Sequence, residues 1–322
     1  MPLIETSTYR APLLLFNGHV QTIFPTLFRK VHDVSFTRER ITTPDDDFLD
    51  LDWLATHTSS KLVILSHGLE GNTSRAYVRG MAKRFHEEGW NILAWNYRGC
   101  SGESNRLLRS YHSGATEDLE VVIHHGLSRG YTEIVLIGFS LGGNMTLKYL
   151  GEKGNQVHPA IRKAVTFSVP VDLKSSALTM ESPACRIYMR RFLRMLHEKI
   201  KLKSTMFPGQ ISDTGFSEIK TFRQFDDRYT APLHGFRDAE DYWSRCSAVR
   251  FLDKITIPTL LVNAQNDPFL GPSCFPITQV QHHTHITLEM PRTGGHVGFP
   301  ASSKKGYYWS EERALLFTNE GV

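Results

Sequence analysis

A mostly parallel α/β sheet with helices on both faces is what the sequence predicts, and three observations predict it. Six short runs of aliphatic and β-branched residues read as buried strands: 61–66, 91–95, 134–139, 163–168, 259–264 and 286–290. Helix-length segments separate most of them, as parallel crossovers require. Between Asp172 and Arg250 the alternation stops and no strand is evident. An all-helical insertion there would form a cap (172–250) on a single domain (1–322), over the strand ends where open α/β sheets bind ligands.

The elements follow in order. The stretch up to about Val31, with Pro12, Pro25 and Asn17-Gly-His-Val-Gln-Thr-Ile23, reads as an arm laid over the fold. Val34–Ile41 and Phe48–Trp53 alternate apolar and polar residues around the turn Pro44-Asp-Asp-Asp47, which predicts an antiparallel hairpin. A helix over Ala76–Glu88 closes at Gly89 as a left-handed cap. Ser113 is placed to cap a helix whose first turn holds Glu117 and Asp118 and which ends near Gly130. Within the insertion, Ala184–Lys203, Ser217–Phe225 and Asp238–Phe251 read as three helices, and a helix around Ser310–Phe317 closes the chain.

Composition narrows the class. The 322 residues are 40% hydrophobic and 22% charged, those of an ordinary soluble globular protein. A formal charge of +4 is too small to point to nucleic acid. Cys100, Cys185, Cys246 and Cys274 form no metal-binding pattern and suit a reducing, cytoplasmic compartment. Leu13-Leu-Leu-Phe16 is too short for a signal segment, and no apolar run reaches membrane-spanning length.

The chemistry centres on Gly138-Phe-Ser140-Leu-Gly142. An apolar strand precedes it and a helix follows, which is the context of a nucleophile elbow. Small residues at 138 and 142 let strand and helix approach while Ser140 sits at a strained apex. A serine hydroxyl needs a base, and the base needs an orienting acid. Asp267, after the strand ending at Ala264, and His296, in Gly294-Gly-His-Val-Gly298, follow in the chain order Ser, Asp, His. Asp172, after an earlier strand, is the rival acid. The oxyanion donors would be the backbone amides of Leu141 and of Leu69, in His67-Gly-Leu-Glu-Gly71.

These motifs resemble the α/β-hydrolase superfamily. Adding Asn17–Ile23, Asn96-Tyr-Arg-Gly99, Tyr111-His-Ser-Gly114, Phe225-Asp-Asp-Arg228 and His234-Gly-Phe236, the chain is similar over nearly its whole length to the YheT-type branch of bacterial hydrolases. Its eukaryotic relatives include carboxylesterases, phospholipases and medium-chain alcohol acyltransferases. The resemblance implies a Ser140–Asp267–His296 serine esterase with a helical cap. The insertion, rich in Met and Phe (Met180, Met189, Phe192, Met195, Phe222 and Phe225 among them), would line an apolar pocket of limited length, so a small acyl ester of short-to-medium chain is expected. Serine, base and oxyanion donors complete the chemistry with no cofactor and no metal. Acyl transfer to an alcohol, a phospholipase or lipase, and a non-catalytic binding protein on the same fold stay as alternatives, the intact triad arguing against the last.

Three features invite further roles. Arg186–Ile200 is amphipathic, with a basic face and a stripe through Tyr188, Phe192, Met195, Leu196 and Ile200. That face could meet anionic lipid as a peripheral contact, but such stripes usually face a core. His282-His-Thr-His285 lacks acidic or cysteine partners at ligand spacing. His19 and His112 read as packing residues near the site loops.

Overall fold

The computed structural model describes residues 2–55, 58–301 and 306–320. In chain order the elements that place the site are β1 (Leu3–Ile4), α1 (Gly18–Phe28), β2 (Thr37–Thr42), β3 (Phe48–Leu54), β4 (Lys61–Ser66), α2 (Ala76–His86) and β5 (Asn91–Asn96). Then come α3 (Thr116–Ser128), β6 (Glu133–Phe139), α4 (Leu141–Lys153), β7 (Ile161–Phe167), α5 (Leu173–Met180), α6 (Arg186–Met206), β8 (Thr259–Val262) and β9 (Ile286–Glu289). The sheet runs β1-β9-β8-β7-β6-β4-β5-β3-β2, and only the β2–β3 and β3–β5 pairings are antiparallel.

Period-two alternation sorts the core into two layers. Leu62 and Ile64 of β4, with Ile134 and Leu136 of β6, face α3 and α4. Val63, Leu65, Val135 and Ile137 face α2 and the closing helix Trp309–Asn319. After β4 the chain adds β5 on one side and then returns to place β6 on the other. The strand order therefore reverses at β4, and a crevice opens at its carboxyl end. Loop 67–71 and Ser140 both begin there.

Several elements depart from the sequence reading. The N-terminal stretch up to Val31 is not a bare arm: Leu3–Ile4 forms an edge strand on β9, and Asn17 caps α1 by accepting the Val20 amide at 2.9 Å. Pro25 sits inside α1 and hid it. Ser113 is not the cap of α3, where Ala115 holds that position. The Ser113 amide instead donates to Tyr242 Oη at 3.0 Å. Asp118 lies buried in a bidentate pair with Arg98 (2.7 and 2.8 Å). Between β7 and β8 the described chain makes helices and turns only, but 217–225 breaks into a 3-10 turn and a short helix, and 238–251 stops at Cys246. The stripe of α6 turns inward: Tyr188, Leu196 and Ile200 are buried in the insertion's own core.

Candidate active site

The turn from β6 into α4 leaves no room for side chains beside Ser140. A Cβ on Gly142 would lie 2.4 Å from the Ser66 carbonyl oxygen, and one on Gly138 would lie 2.5 Å from that of Gly142. Ser140 takes φ 53° and ψ −118°, a region that costs a non-glycine residue about 1–3 kcal/mol. Its Oγ lies 2.9 Å from His296 Nε2. His296 Nδ1 faces Asp267 Oδ2 at 2.9 Å and Oδ1 at 3.1 Å. The Asp267 side chain is fully buried, and its Oδ1 also accepts the Phe269 amide at 2.9 Å. A carboxylate on Nδ1 puts the proton there and leaves Nε2 free to accept the hydroxyl proton. Asp172 lies elsewhere: it caps α5, accepting the Ser175 amide at 3.1 Å.

Strain collects around this site. Of the seven described non-glycine residues at positive φ, five lie at it or in its loops: Glu70, Ser140, Ser168, Val297 and Phe299. For a β-branched residue such as Val297 this is an outlier that only surrounding contacts maintain. Here the contact is Ser168 Oγ, which accepts the Val297 amide at 2.8 Å.

Leu69 and Leu141, whose amides are the expected oxyanion donors, line the inner cavity together with Ser140, and a Cβ on neighbouring Gly68 would lie 3.2 Å from Ser140 Cβ. Leu141 opens α4, so its amide has no carbonyl of its own helix to bond. In loop 67–71 the Gly68 amide donates to Tyr77 Oη (3.0 Å), Glu70 to Tyr111 Oη (2.9 Å) and Gly71 to the Gly68 carbonyl (3.0 Å). Among the described residues no acceptor engages the Leu69 amide. Glu70 anchors the loop: its Oε1 accepts Tyr111 Oη at 2.7 Å and lies 2.8 Å from Lys199 Nζ on α6. His67 is buried and acts as a turn former. Desolvation drives its pKa down to about 3, so the neutral ring donates from Nδ1 to the Gly68 carbonyl at 2.8 Å.

Sequence reasoning missed what braces the histidine loop. Gln21, fully buried on α1, accepts the Gly294 amide (2.8 Å) and Asn266 Nδ2 (3.0 Å) through Oε1. Thr22 Oγ1 accepts the His296 amide at 2.8 Å. Gly18 lets α1 close on the acid loop, since a Cβ there would lie 1.9 Å from the Asn266 carbonyl oxygen. Both bracing side chains belong to the Asn17–Ile23 motif, the one signal that could have found them. Gln21→Leu is expected to lower kcat about 10²-fold through a misplaced imidazole, with KM little changed. Steady-state kinetics on a soluble p-nitrophenyl ester would check this. Asn144 does similar work on the other side, donating to the carbonyls of Ser113 and Cys246 (2.9 and 2.8 Å) and accepting the Ala248 amide (2.9 Å).

Two spaces meet at Ser140 and His296. An inner cavity of about 160 Å³ runs under the insertion, lined by Met180, Phe192, Leu196, Phe222 and Phe225 among others. An outer groove of about 630 Å³ runs between α1, α2 and α6. Of the other Met and Phe side chains in the insertion, Met195 lines the groove, while Met189 and Phe216 pack the insertion's own core. The inner cavity's lining is mainly apolar, its Glu70 and Lys199 are paired with each other, and three further groups are shifted toward their neutral forms. Burial pushes Asp226 up to about 7 and holds His234 at about 4 and His112 well below the usual imidazole range. Asp226 accepts Trp243 Nε1 (2.8 Å) and Thr230 Oγ1 (2.6 Å), which lessen the shift without cancelling it.

That raised carboxyl predicts a pH effect. A folded pKa above the unfolded one favours the folded state fully below about pH 4 and loses that benefit as pH rises toward 7. Asp226→Asn keeps a carbonyl for Trp243 and can donate to Thr230. It is therefore expected to raise Tm at pH 8, with a smaller gain at pH 5, as paired thermal melts would report.

The remaining singled-out histidines lie outside the Ser140 cluster. His19 stacks on Tyr188 with Nδ1 3.1 Å from its hydroxyl, and His112 packs against His234 and Tyr242. His283 Nδ1 accepts the amides of His285 and Ile286 (3.1 and 3.0 Å) in the turn before β9. Among the described residues no three His, Cys, Asp or Glu side chains are grouped to hold a metal ion.

A hydroxyl on a strand–helix turn, bonded to an imidazole that a buried carboxylate orients, defines a serine hydrolase. The chain belongs to the alpha/beta hydrolase fold family, which it matches over residues 61–299. It is 36% identical over 292 residues to YheT of Escherichia coli (strain K12), an inferred esterase, covering 88% of this chain and 84% of that protein. It is 30% identical to phospholipase ABHD3 of Mus musculus, covering 92% of this chain and 74% of that one. Among solved structures, the Pyrococcus furiosus esterase Pf2001 superimposes with a TM-score of 0.59 at 18% identity, over 90% of this chain and 96% of that one, a likeness of fold.

Proposed function

We propose that the protein is a carboxylester hydrolase that works through an acyl-enzyme. Ser140 Oγ attacks the acyl carbon as its proton passes to His296 Nε2, and Asp267 stabilises the imidazolium. The amides of Leu69 and Leu141 hold the developing oxyanion. His296 then protonates the departing alcohol, and water repeats the sequence to free the acid. The observation that carries this reading is the Asp267–His296–Ser140 hydrogen-bonded chain at the junction of cavity and groove. Serine, base and donors complete the chemistry, so the reading needs neither metal nor cofactor. Residues 172–250 act as a cap on a single domain, and four free, buried cysteines accord with the cytoplasm.

The mainly apolar inner cavity suits the acyl chain, and the open groove suits the alcohol. A series of p-nitrophenyl esters from acetate to palmitate tests this. kcat/KM should climb about fourfold per methylene, from roughly 0.8 kcal/mol each, to an optimum between about C4 and C10. A flat series would remove the acyl-cavity assignment. A phospholipase reading is favoured by Lys30, Arg75, Arg79 and Arg191 along the groove, where a phosphate-bearing alcohol would lie. Hydrolysis of medium-chain phosphatidylcholine at rates matching the best p-nitrophenyl ester would select it. Transfer of the acyl group to an added alcohol, read by product analysis, would select an acyltransferase.

A further inference from the structure

Helix α1 is amphipathic the wrong way round for a soluble surface. Its buried positions are Gly18, Gln21, Thr22 and Pro25, polar or small residues, the first three of which brace the acid and histidine loops. Its outward face carries Ile23, Phe24, Leu27 and Phe28, all exposed. Just ahead of it Leu13 and Leu14 are 96% and 87% exposed, and Phe16 is 77% exposed. Neighbouring α6, tied to α1 by the His19–Tyr188 stack, adds Ile187 at 75%. These eight side chains are most of the large apolar groups that the described residues leave exposed. Clustering of this kind marks a site of interaction rather than scattered surface.

Charge names the occupant. Ile187, Arg190, Arg191 and Arg194 share one face of α6 at helical spacing, and the three arginines are exposed. Among the described residues none of these guanidiniums has a carboxylate within salt-bridge distance. Ile23, Leu27, Lys30, Ile187 and Arg191 all line the outer groove, so the apolar ridge and the basic face border one opening to Ser140. We infer that this face docks on an anionic lipid bilayer. The ridge of α1 inserts among the acyl chains, the arginines of α6 meet the headgroups, and the groove opens toward the membrane as the entry for acyl esters. No membrane-spanning segment is invoked, and none of the described helices is long and apolar enough to cross one.

Vesicle sedimentation with the full chain tests the docking independently of the ester-hydrolase reading, on which only the role of the groove as an entry rests. Vesicles of phosphatidylcholine and phosphatidylglycerol in a two-to-one ratio should pellet the protein at low salt, and pure phosphatidylcholine should do so far less. Leu14→Ser/Phe24→Ser/Phe28→Ser and, separately, Arg190→Glu/Arg194→Glu should each weaken partitioning about tenfold or more, the second change also removing most of the salt dependence. Both variants should turn over soluble p-nitrophenyl butyrate within about twofold of the parent, because these side chains lie outside the cavity, the groove and the triad. Equal binding to neutral and anionic vesicles, or unchanged binding by the apolar variant, would overturn the inference. So would a dimer in solution that the apolar variant dissolves, since a second copy would then cover the ridge. Lack of turnover by the parent protein with vesicle binding intact would count against the ester reading alone.

Discussion

Ser140→Ala is expected to lower kcat on every active ester by about 10⁵–10⁶-fold, the scale of nucleophile removal in other serine hydrolases. KM should stay near its parent value, because cavity and groove are untouched. Folding should also survive: Ser140 makes its side-chain hydrogen bond to His296 alone among the described residues, and the backbone of the turn is held by the approach of Gly138 and Gly142. Ser140→Gly would be equally inactive but more stable, since glycine tolerates φ 53° and ψ −118° without the cost that serine bears. A rise in Tm of a few degrees, roughly what 1–2 kcal/mol produces in a protein of this size, would show that the turn stores strain for the sake of the hydroxyl. Initial rates with p-nitrophenyl butyrate and thermal melts on the same preparations decide both points. Parent-like turnover by the alanine variant would sink the mechanism.

Asp267→Asn should cost about 10⁴ in kcat by analogy with other triads, for a reason specific to tautomers. The carboxylate accepts from His296 Nδ1 and also from the Phe269 amide. An asparagine keeps a carbonyl for the Phe269 amide but can turn its NH₂ toward Nδ1, which moves the imidazole proton to Nε2. The base then donates where it must accept. Asp172→Asn should leave kcat nearly unchanged, because that side chain only caps α5. Reversal of the two results would transfer the acid role to Asp172. The loss should also persist at every pH between 6 and 9, since a wrong tautomer is not restored by titration.

Much of the architecture was legible in the chain because buried strands carry a local record. The 134–139 run is apolar on both faces, and its odd and even residues do part toward two helical layers. Likewise a small–x–Ser–x–Gly turn between strand and helix names its own geometry, and the order Ser, Asp, His named the residues that meet. These are statements about backbone sterics and short-range period, which sequence encodes directly.

What the tertiary structure alone decided concerns elements whose partners are remote in sequence. Helix α1 carries no apolar periodic signal on its buried side, because that side is Gly18, Gln21, Thr22 and Pro25, residues that signal a loop until Asn266, Gly294 and His296 are brought against the first three. Ser113 looked like a cap by position, yet Tyr242, 129 residues away, takes its amide. The stripe on α6 could as well have met lipid as protein, and only the packing of Tyr188, Leu196 and Ile200 into the insertion turned it inward. That left the apolar outer face of α1, not the stripe, exposed to whatever covers the mouth of the groove. Periodicity tells which side of an element differs from the other; it does not tell what stands opposite. A hydrogen bond between groups far apart in the chain, such as the Thr22 hydroxyl with the His296 amide, leaves no periodic trace in the sequence, because its energy depends on a distance that only the folded chain sets.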